Sequence, residues 1–134
     1  MKLDYGLLFL VALAEEKGRK PLPLRRIAAE RHLPYRFLSQ IAAPLRNAGL
    51  IEAKEGARGG YRLAKSPRSI PVGNILRILE GGVRLVRCNP GTQRDCPSAG
   101  ACSLAPFWHG VNTRLTSSLQ ALTLADLLHS RRER

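Results

Sequence analysis

The sequence predicts a mainly α-helical chain carrying one small β-hairpin. Three observations lead there. Apolar residues recur at three- and four-residue spacing in several segments, and one glycine-rich turn, EGARGG, separates two short strand-like runs. The last third carries a leucine-rich stripe close to heptad spacing.

The first helix is expected from Asp4 to Lys17, where Leu7, Leu8, Val11 and Ala14 fall on one side and Gly18 makes a stop. A polar link, RKPLP, leads to a second helix from Leu24 to Arg31, with Ile27 and Ala28 inward and Arg25 and Arg26 near its start. His32-Leu33 is a tight connection, and Pro34 suits the first turn of a third helix running to about Ala48. Gly49 then provides a left-handed stop. On this third helix Phe37, Leu38, Ile41 and Leu45 share one side, while Arg36, Ser39, Gln40, Ala43 and Arg46 or Asn47 share the other. Pro44 removes one helical hydrogen bond, so a bend or an early end is expected there.

Two strands, Leu50 to Lys54 and Tyr61 to Ala64, flank the turn, with Arg58 at its tip and Gly59 and Gly60 beside it. Three helices followed by a hairpin with a basic tip are the layout of a winged helix-turn-helix. Another helix is expected from Pro71 to Glu80, stopped by Gly81-Gly82. Leu104, Trp108, Val111, Leu115, Leu119 and Leu122 form the stripe, which either packs on another copy or covers the chain's own core. Thr123 and Asp126 make a capping box for a last short helix, and the tail RRER is expected to fray. The organisation expected is therefore a winged domain over 1–82, a cysteine-bearing loop over 83–103, and a dimerisation helix with a short terminal helix over 104–134.

Composition narrows the function. The 134 residues carry 22 Lys and Arg against 10 Asp and Glu, a formal charge of +12, which points to a polyanionic partner. The short polar and basic face of the third helix suits a DNA major groove, where Arg pairs with guanine and Gln with adenine. Arg36, Ser39 and Gln40 are the candidates for base edges. Arg25, Arg26, Arg46, Arg58 and the Gly59-Gly60 backbone are the candidates for phosphates or the minor groove. The alternatives are a helical domain with a solvated basic face, or an RNA-binding or DNA-coating protein using the same charge without sequence preference. No apolar run is long enough to cross a bilayer, and no signal peptide is legible at the N-terminus, so a cytoplasmic protein without a membrane partner is expected.

All three cysteines, Cys88, Cys96 and Cys102, stand in one polar stretch with spacing C-x7-C-x5-C. Their odd number argues against a disulfide framework. Thiolates this close suit an iron–sulfur cluster or zinc. Structural zinc sites favour closely paired cysteines, which this stretch lacks, although His109 is available as a fourth ligand. Cys102 and His109 also raise the possibility of cysteine–histidine catalysis. There is no C-x-x-C, no phosphate-binding glycine loop and no serine nucleophile motif, so no enzyme is expected.

The run LPYRFLSQIAAPLRNAGLIEAKEGARGGYRLAKSPRSIPVGNILRILEG, the three-cysteine stretch, C-x5-W at Cys102 and Trp108, and LTLADLL together resemble the Rrf family of bacterial winged-helix transcriptional regulators. The likeness covers nearly the whole chain. Branches of that family include iron–sulfur regulators of the IscR type, nitric-oxide sensors of the NsrR type and cysteine-metabolism regulators of the CymR type. The resemblance implies a homodimer joined by its long C-terminal helices through Leu104, Trp108, Val111, Leu115 and Leu119, bound to a pseudo-palindromic operator on double-stranded DNA. It also implies a cluster, 4Fe–4S or 2Fe–2S, held by Cys88, Cys96 and Cys102 with one further ligand. An IscR-like histidine is expected three residues after the last cysteine, where this chain has Ala105. The NsrR-like pattern takes an aspartate from the first helix of the partner subunit, and that position matches Asp4. The competing role for Asp4 is to cap its own helix. A zinc-bound or cluster-free thiol regulator of the CymR type is the alternative for the whole loop.

Overall fold

The computed structural model describes residues 2–16, 20–82, 85 and 102–130. Cys88 and Cys96, the expected stop at Gly18 and the RRER tail lie outside the described residues. Among the described residues, six α-helices and one hairpin follow in the order α1 (Lys2–Glu15), α2 (Leu24–Arg31), α3 (Tyr35–Asn47), β1 (Ile51–Lys54), β2 (Gly60–Leu63), α4 (Val72–Glu80), α5 (Ala105–Ala121) and α6 (Leu124–Ser130). A short 3-10 turn, Pro67–Ser69, precedes α4.

α1 is the centre of the molecule. It packs against α2, α3, α4, α6 and β2, which is why its apolar residues spread around the helix instead of forming one stripe. Phe9 and Leu10 are fully buried, and each such side chain is worth about 1.5–3 kcal/mol on removal from water. Around them sit Ile27 of α2, Leu38, Ile41 and Leu45 of α3, Ile75 and Leu79 of α4, and Leu124 of α6. Tyr5 meets Phe37 edge to face at 5.0 Å, and Glu15 pairs with Arg31, so α1 is tied to α3 and α2 along its length. Asp4 lies in the first turn of α1, inside the helix rather than at its cap, and its side chain is exposed. The capping role is therefore not realised, because the helix begins two residues earlier than the sequence pattern implies.

α2 ends at His32, which takes the left-handed conformation at φ 54°, and Leu33 N–H then donates to the Ala28 carbonyl at 2.9 Å. Pro34 is the residue before the first turn of α3, and its carbonyl accepts from Phe37 and Leu38. Pro44 does not end α3. The helix continues to Asn47, and the Pro44 carbonyl accepts the Ala48 N–H at 3.0 Å. Only the bond from Pro44 to the Gln40 carbonyl is lost, and both residues are exposed to water. Gly49 and Gly81 stop α3 and α4 with φ near 79° and 78°.

The hairpin pairs Ile51 with Leu63, Glu52 with Arg62, Ala53 with Tyr61 and Lys54 with Gly60. Its inner ends, Ile51 and Leu63, enter the core, and Phe9 meets Tyr61 edge to face at 6.0 Å. The link before α2 joins this sheet. Leu22 and Tyr61 exchange two backbone hydrogen bonds, both 2.8 Å, so the wing is held to the helical body. That pairing requires glycine at position 60. Its φ is 148°, and a Cβ there would stand 2.2 Å from the Leu22 carbonyl oxygen. A Cβ at Gly59 would stand 2.1 Å from the Lys54 carbonyl oxygen.

The chain returns to α1 at its end. Val72 N–H donates to Leu122 O at 2.8 Å and Leu124 N–H to Ile70 O at 2.9 Å, docking the start of α6 beside the start of α4. Thr123 and Asp126 form the expected capping box: Thr123 N–H donates to Asp126 Oδ2 at 2.8 Å, and Asp126 N–H to Thr123 Oγ1 at 3.4 Å. α5 differs from the rest. It touches α4, yet none of its residues is buried. Leu104 and Phe107 are 57% and 59% exposed, and Trp108, Val111, Leu115 and Leu119 are half-buried.

Replacing Gly60 with alanine is expected to cost about 2 kcal/mol or more through the Leu22 clash and the strained φ. For a chain of this size that lowers Tm by roughly 6–12 °C in a circular-dichroism melt. An unchanged midpoint would mean that the Leu22–Tyr61 pairing does not constrain the wing.

Candidate nucleic-acid interface

α3 has two faces because it lies on α1. Leu38, Ile41, Ala42 and Leu45 are buried, with Phe37 packed at the edge, while Arg36, Ser39, Gln40, Ala43 and Arg46 are all exposed. The division matches the periodicity of the sequence. Ser39 and Ala43 are short, so the backbone of this face can approach a flat or grooved surface closely. Among the described residues, Arg36 and Arg46 have no ion-pair partner.

The two arginines opening α2 are not equivalent. Arg26 donates from Nε to Glu30 Oε1 at 2.7 Å, and this hydrogen bond, with the carboxylate charge, raises its pKa above the usual arginine value. Arg25 instead lies over the ring of Tyr35, its guanidinium carbon 4.5 Å from the ring centre. Likewise Arg62 is engaged with Glu52 across the hairpin at 3.0 Å, and Arg77 donates to Asn74.

At the wing, Lys20, Lys54 and Arg58 line an open groove of about 370 Å³ together with Pro21, Pro23 and Gly59. None of these lining residues is acidic. Lys20 and Lys54 were not legible as site residues in the sequence. They are far apart along the chain, and only the Leu22–Tyr61 pairing sets the link beside the wing. Gly59 and Gly60 owe their places first to close packing, as the hairpin geometry shows. Three cations around a groove, on a wing whose first strand packs against α3, make a surface suited to a phosphate backbone.

The expected ligand residues are more scattered. Cys102 is partly exposed and precedes α5, and its carbonyl accepts the Ala105 N–H at 3.3 Å. His109 lies half-buried on α5. Asp4 is exposed on α1. Among the described residues, no three His, Cys, Asp or Glu side chains gather around one point. Of the donors expected for a cluster, the two that are described, the Cys102 thiol and the Asp4 carboxylate, are both accessible and chemically suited to cluster iron or zinc. Among the described residues, no helix is long and apolar enough to cross a membrane.

Comparison with known proteins agrees with this architecture. Residues 1–130 match the model of the family Rrf2, described as an iron-dependent transcriptional regulator. The chain is 43% identical over 123 residues to the HTH-type transcriptional regulator CymR of Bacillus subtilis, covering 92% of this chain and 83% of that protein. It is 27% identical over 124 residues to the HTH-type transcriptional regulator IscR of Vibrio cholerae, covering 92% of this chain and 70% of that one. Among solved structures, IscR of T. potens superposes with a TM-score of 0.79 at 34% identity, covering 99% of this chain and 87% of that one. CymR, the global cysteine regulator of B. subtilis, superposes at 0.73 with 33% identity over 95% of this chain and 92% of that one. These relatives are regulators of transcription and not enzymes. With a two-faced third helix, a pinned basic wing and a family match over nearly its whole length, the chain belongs to the Rrf2 family of winged-helix, DNA-binding transcriptional regulators.

Proposed function

We propose that this regulator binds a pseudo-palindromic operator as a homodimer and that a cofactor-bearing cysteine loop controls the binding. The observation that carries the DNA reading is the exposed polar face of α3, whose Arg36 and Arg46 have no ion-pair partner among the described residues, on a chain that also presents a basic groove at the wing. Arg36, Ser39 and Gln40 read base edges in the major groove. Arg25, Arg46, Arg58, Lys20 and Lys54 contact phosphates, with Arg58 at the wing tip reaching toward the minor groove. Arg26 contributes less, because a phosphate would have to displace Glu30. The dimer reading is supported by α5, whose apolar side is left open: Leu104, Trp108, Val111, Leu115 and Leu119 pack against the same helix of a second copy.

For the loop, the reading is an iron–sulfur cluster, 4Fe–4S or 2Fe–2S, held by Cys88, Cys96 and Cys102 with Asp4 of the partner subunit. Such a cluster supplies redox-active iron with an exchangeable corner. The chain's own residues supply the coupling. Cys102 leads directly into α5, so a change in what its thiol holds acts at the end of the dimerisation helix. Asp4 is on α1, the helix on which α3 rests, so releasing its carboxylate acts on the element that sets the recognition helix. Half-sites lie about one helical turn, roughly 34 Å, apart, and small shifts between paired recognition helices therefore change affinity steeply. A DNA-bound regulator of this kind works in the cytoplasm. The 43% identity to CymR favours a second reading, in which the cysteines act without a cluster as a thiol sensor or hold zinc with His109.

Replacing Gln40 with alanine is expected to relax preference at one base pair, costing about 1–3 kcal/mol of discrimination. Replacing Lys54 with alanine should weaken all duplexes alike and reduce the salt slope by about one. Fluorescence anisotropy on matched and mismatched duplexes across a salt series separates the two. Equal losses on every sequence for both variants would overturn the assignment.

Leu115→Glu is expected to convert the dimer to monomer in sedimentation analysis while the helical content of the monomer persists. A dimer unaffected by this change would move the interface away from α5.

For the loop, iron and acid-labile sulfide are measured on protein purified without oxygen. Matched iron and sulfide, both reduced in Asp4→Ala, are the expected result. Zinc without sulfide, or no metal, would replace the cluster reading with the second one.

A further inference from the structure

The two arginines at the start of α2 meet different fates, and the difference singles out Tyr35. Arg26 is bonded to Glu30 one turn along its own helix. Among the described residues Arg25 has no hydrogen bond or ion pair, and its guanidinium lies over the ring of Tyr35 at 4.5 Å. Tyr35 is the first residue of α3, and although it is a large aromatic residue it is 42% exposed. Exposure on that scale at the head of a helix is a poor use of the ring for core packing. It is well suited to supporting a cation. A guanidinium held over an aromatic face keeps all five N–H donors free at its edge, whereas one bonded to a carboxylate has spent part of them. A flexible arginine also loses side-chain entropy on binding a phosphate, and an aromatic support reduces that loss by restricting it beforehand.

We propose that Tyr35 is a positioning residue: its ring holds Arg25 between α2 and the head of α3, so that the guanidinium edge takes one backbone phosphate flanking the base pairs that α3 reads. The proposal deepens the operator-binding reading and rests on it. Tyr35 acts through its ring and not through its hydroxyl. It carries no base readout. It sets the register of the recognition helix by fixing one sequence-independent contact beside it.

The test uses the full chain and a duplex that the wild-type chain selects from a random-sequence library, with a mismatched duplex as comparison. Arg25→Ala is expected to weaken binding to both duplexes by a similar factor, roughly three- to tenfold, and to reduce the slope of log affinity against log salt by about one. Tyr35→Phe should retain wild-type affinity and slope. Tyr35→Leu should lose a few-fold of affinity with a reduced slope, and combining it with Arg25→Ala should cost no more than Arg25→Ala alone. Additive losses in the double variant, an unchanged slope in Tyr35→Leu, or a defect in Tyr35→Phe as large as in Tyr35→Leu would each overturn the proposal. A melting curve for each variant identifies loss through unfolding, and if Tyr35→Leu does not fold, Arg25→Lys replaces it. The lysine variant keeps the charge without the planar fork, so affinity and slope matching wild type would overturn the proposal, and a defect would support it. Failure of the wild-type chain to enrich any duplex would instead sink the operator reading beneath it.

Discussion

Everything in this structure depends on burying α1 from several sides at once. Phe9 and Leu10 have no exposed surface, and they are covered by helices on different sides and by the hairpin. A helix that is apolar around most of its circumference cannot stand in water, so α2, α3, α4 and α6 must each present an apolar stripe to it. That requirement leaves each of those helices a second, outward side. On α3 the outward side is Arg36, Ser39, Gln40, Ala43 and Arg46, and the proposed DNA-reading surface is thus the complement of the core contact.

Electrostatics then sorts the cations. Arg26, Arg31 and Arg62 are each engaged with a carboxylate, and solvent screening leaves such surface pairs little weight in stability. Their main effect is to occupy the side chain. Lys20, Lys54 and Arg58 are left around one groove, and Arg36 and Arg46 on the adjoining helix. A formal charge of +12 spread evenly would attract any polyanion. Among the described residues, Lys20, Lys54, Arg58, Arg36 and Arg46 have no ion-pair partner and stay free to meet it.

α5 stands outside the arrangement around α1. The core is already closed by α6, whose Leu124 is fully buried, so among the described elements α5 packs mainly on α4 and keeps its leucines half-open. The same helix begins just after Cys102. In the proposed reading this places the sensing chemistry and the subunit contact on adjacent residues. A signal at the loop then needs no long route through the core to reach the partner.

Periodicity was enough to determine the element order, the buried and exposed sides of α3, the hairpin and the capping box at Thr123 and Asp126. Each of these rests on contacts between residues close in sequence, or on a face whose spacing the helix itself dictates. The motifs RGGYRLA and AGLI, with the cysteines ahead of Trp108, likewise made the family legible. Four matters were decided only by tertiary structure. Pro44 is tolerated inside α3 because the bond it loses lies on a wet face. The stripe on α5 is open because α6, not α5, closes the core. Lys20 joins Lys54 and Arg58 only because Leu22 pairs with Tyr61 across a long stretch of chain. Arg25 and Arg26, adjacent and identical in type, part company because one faces Glu30 on its own helix and the other faces Tyr35 on the next. A helical wheel locates Glu30, but no local rule locates Tyr35, since that depends on the crossing of two helices set by what both bury against α1.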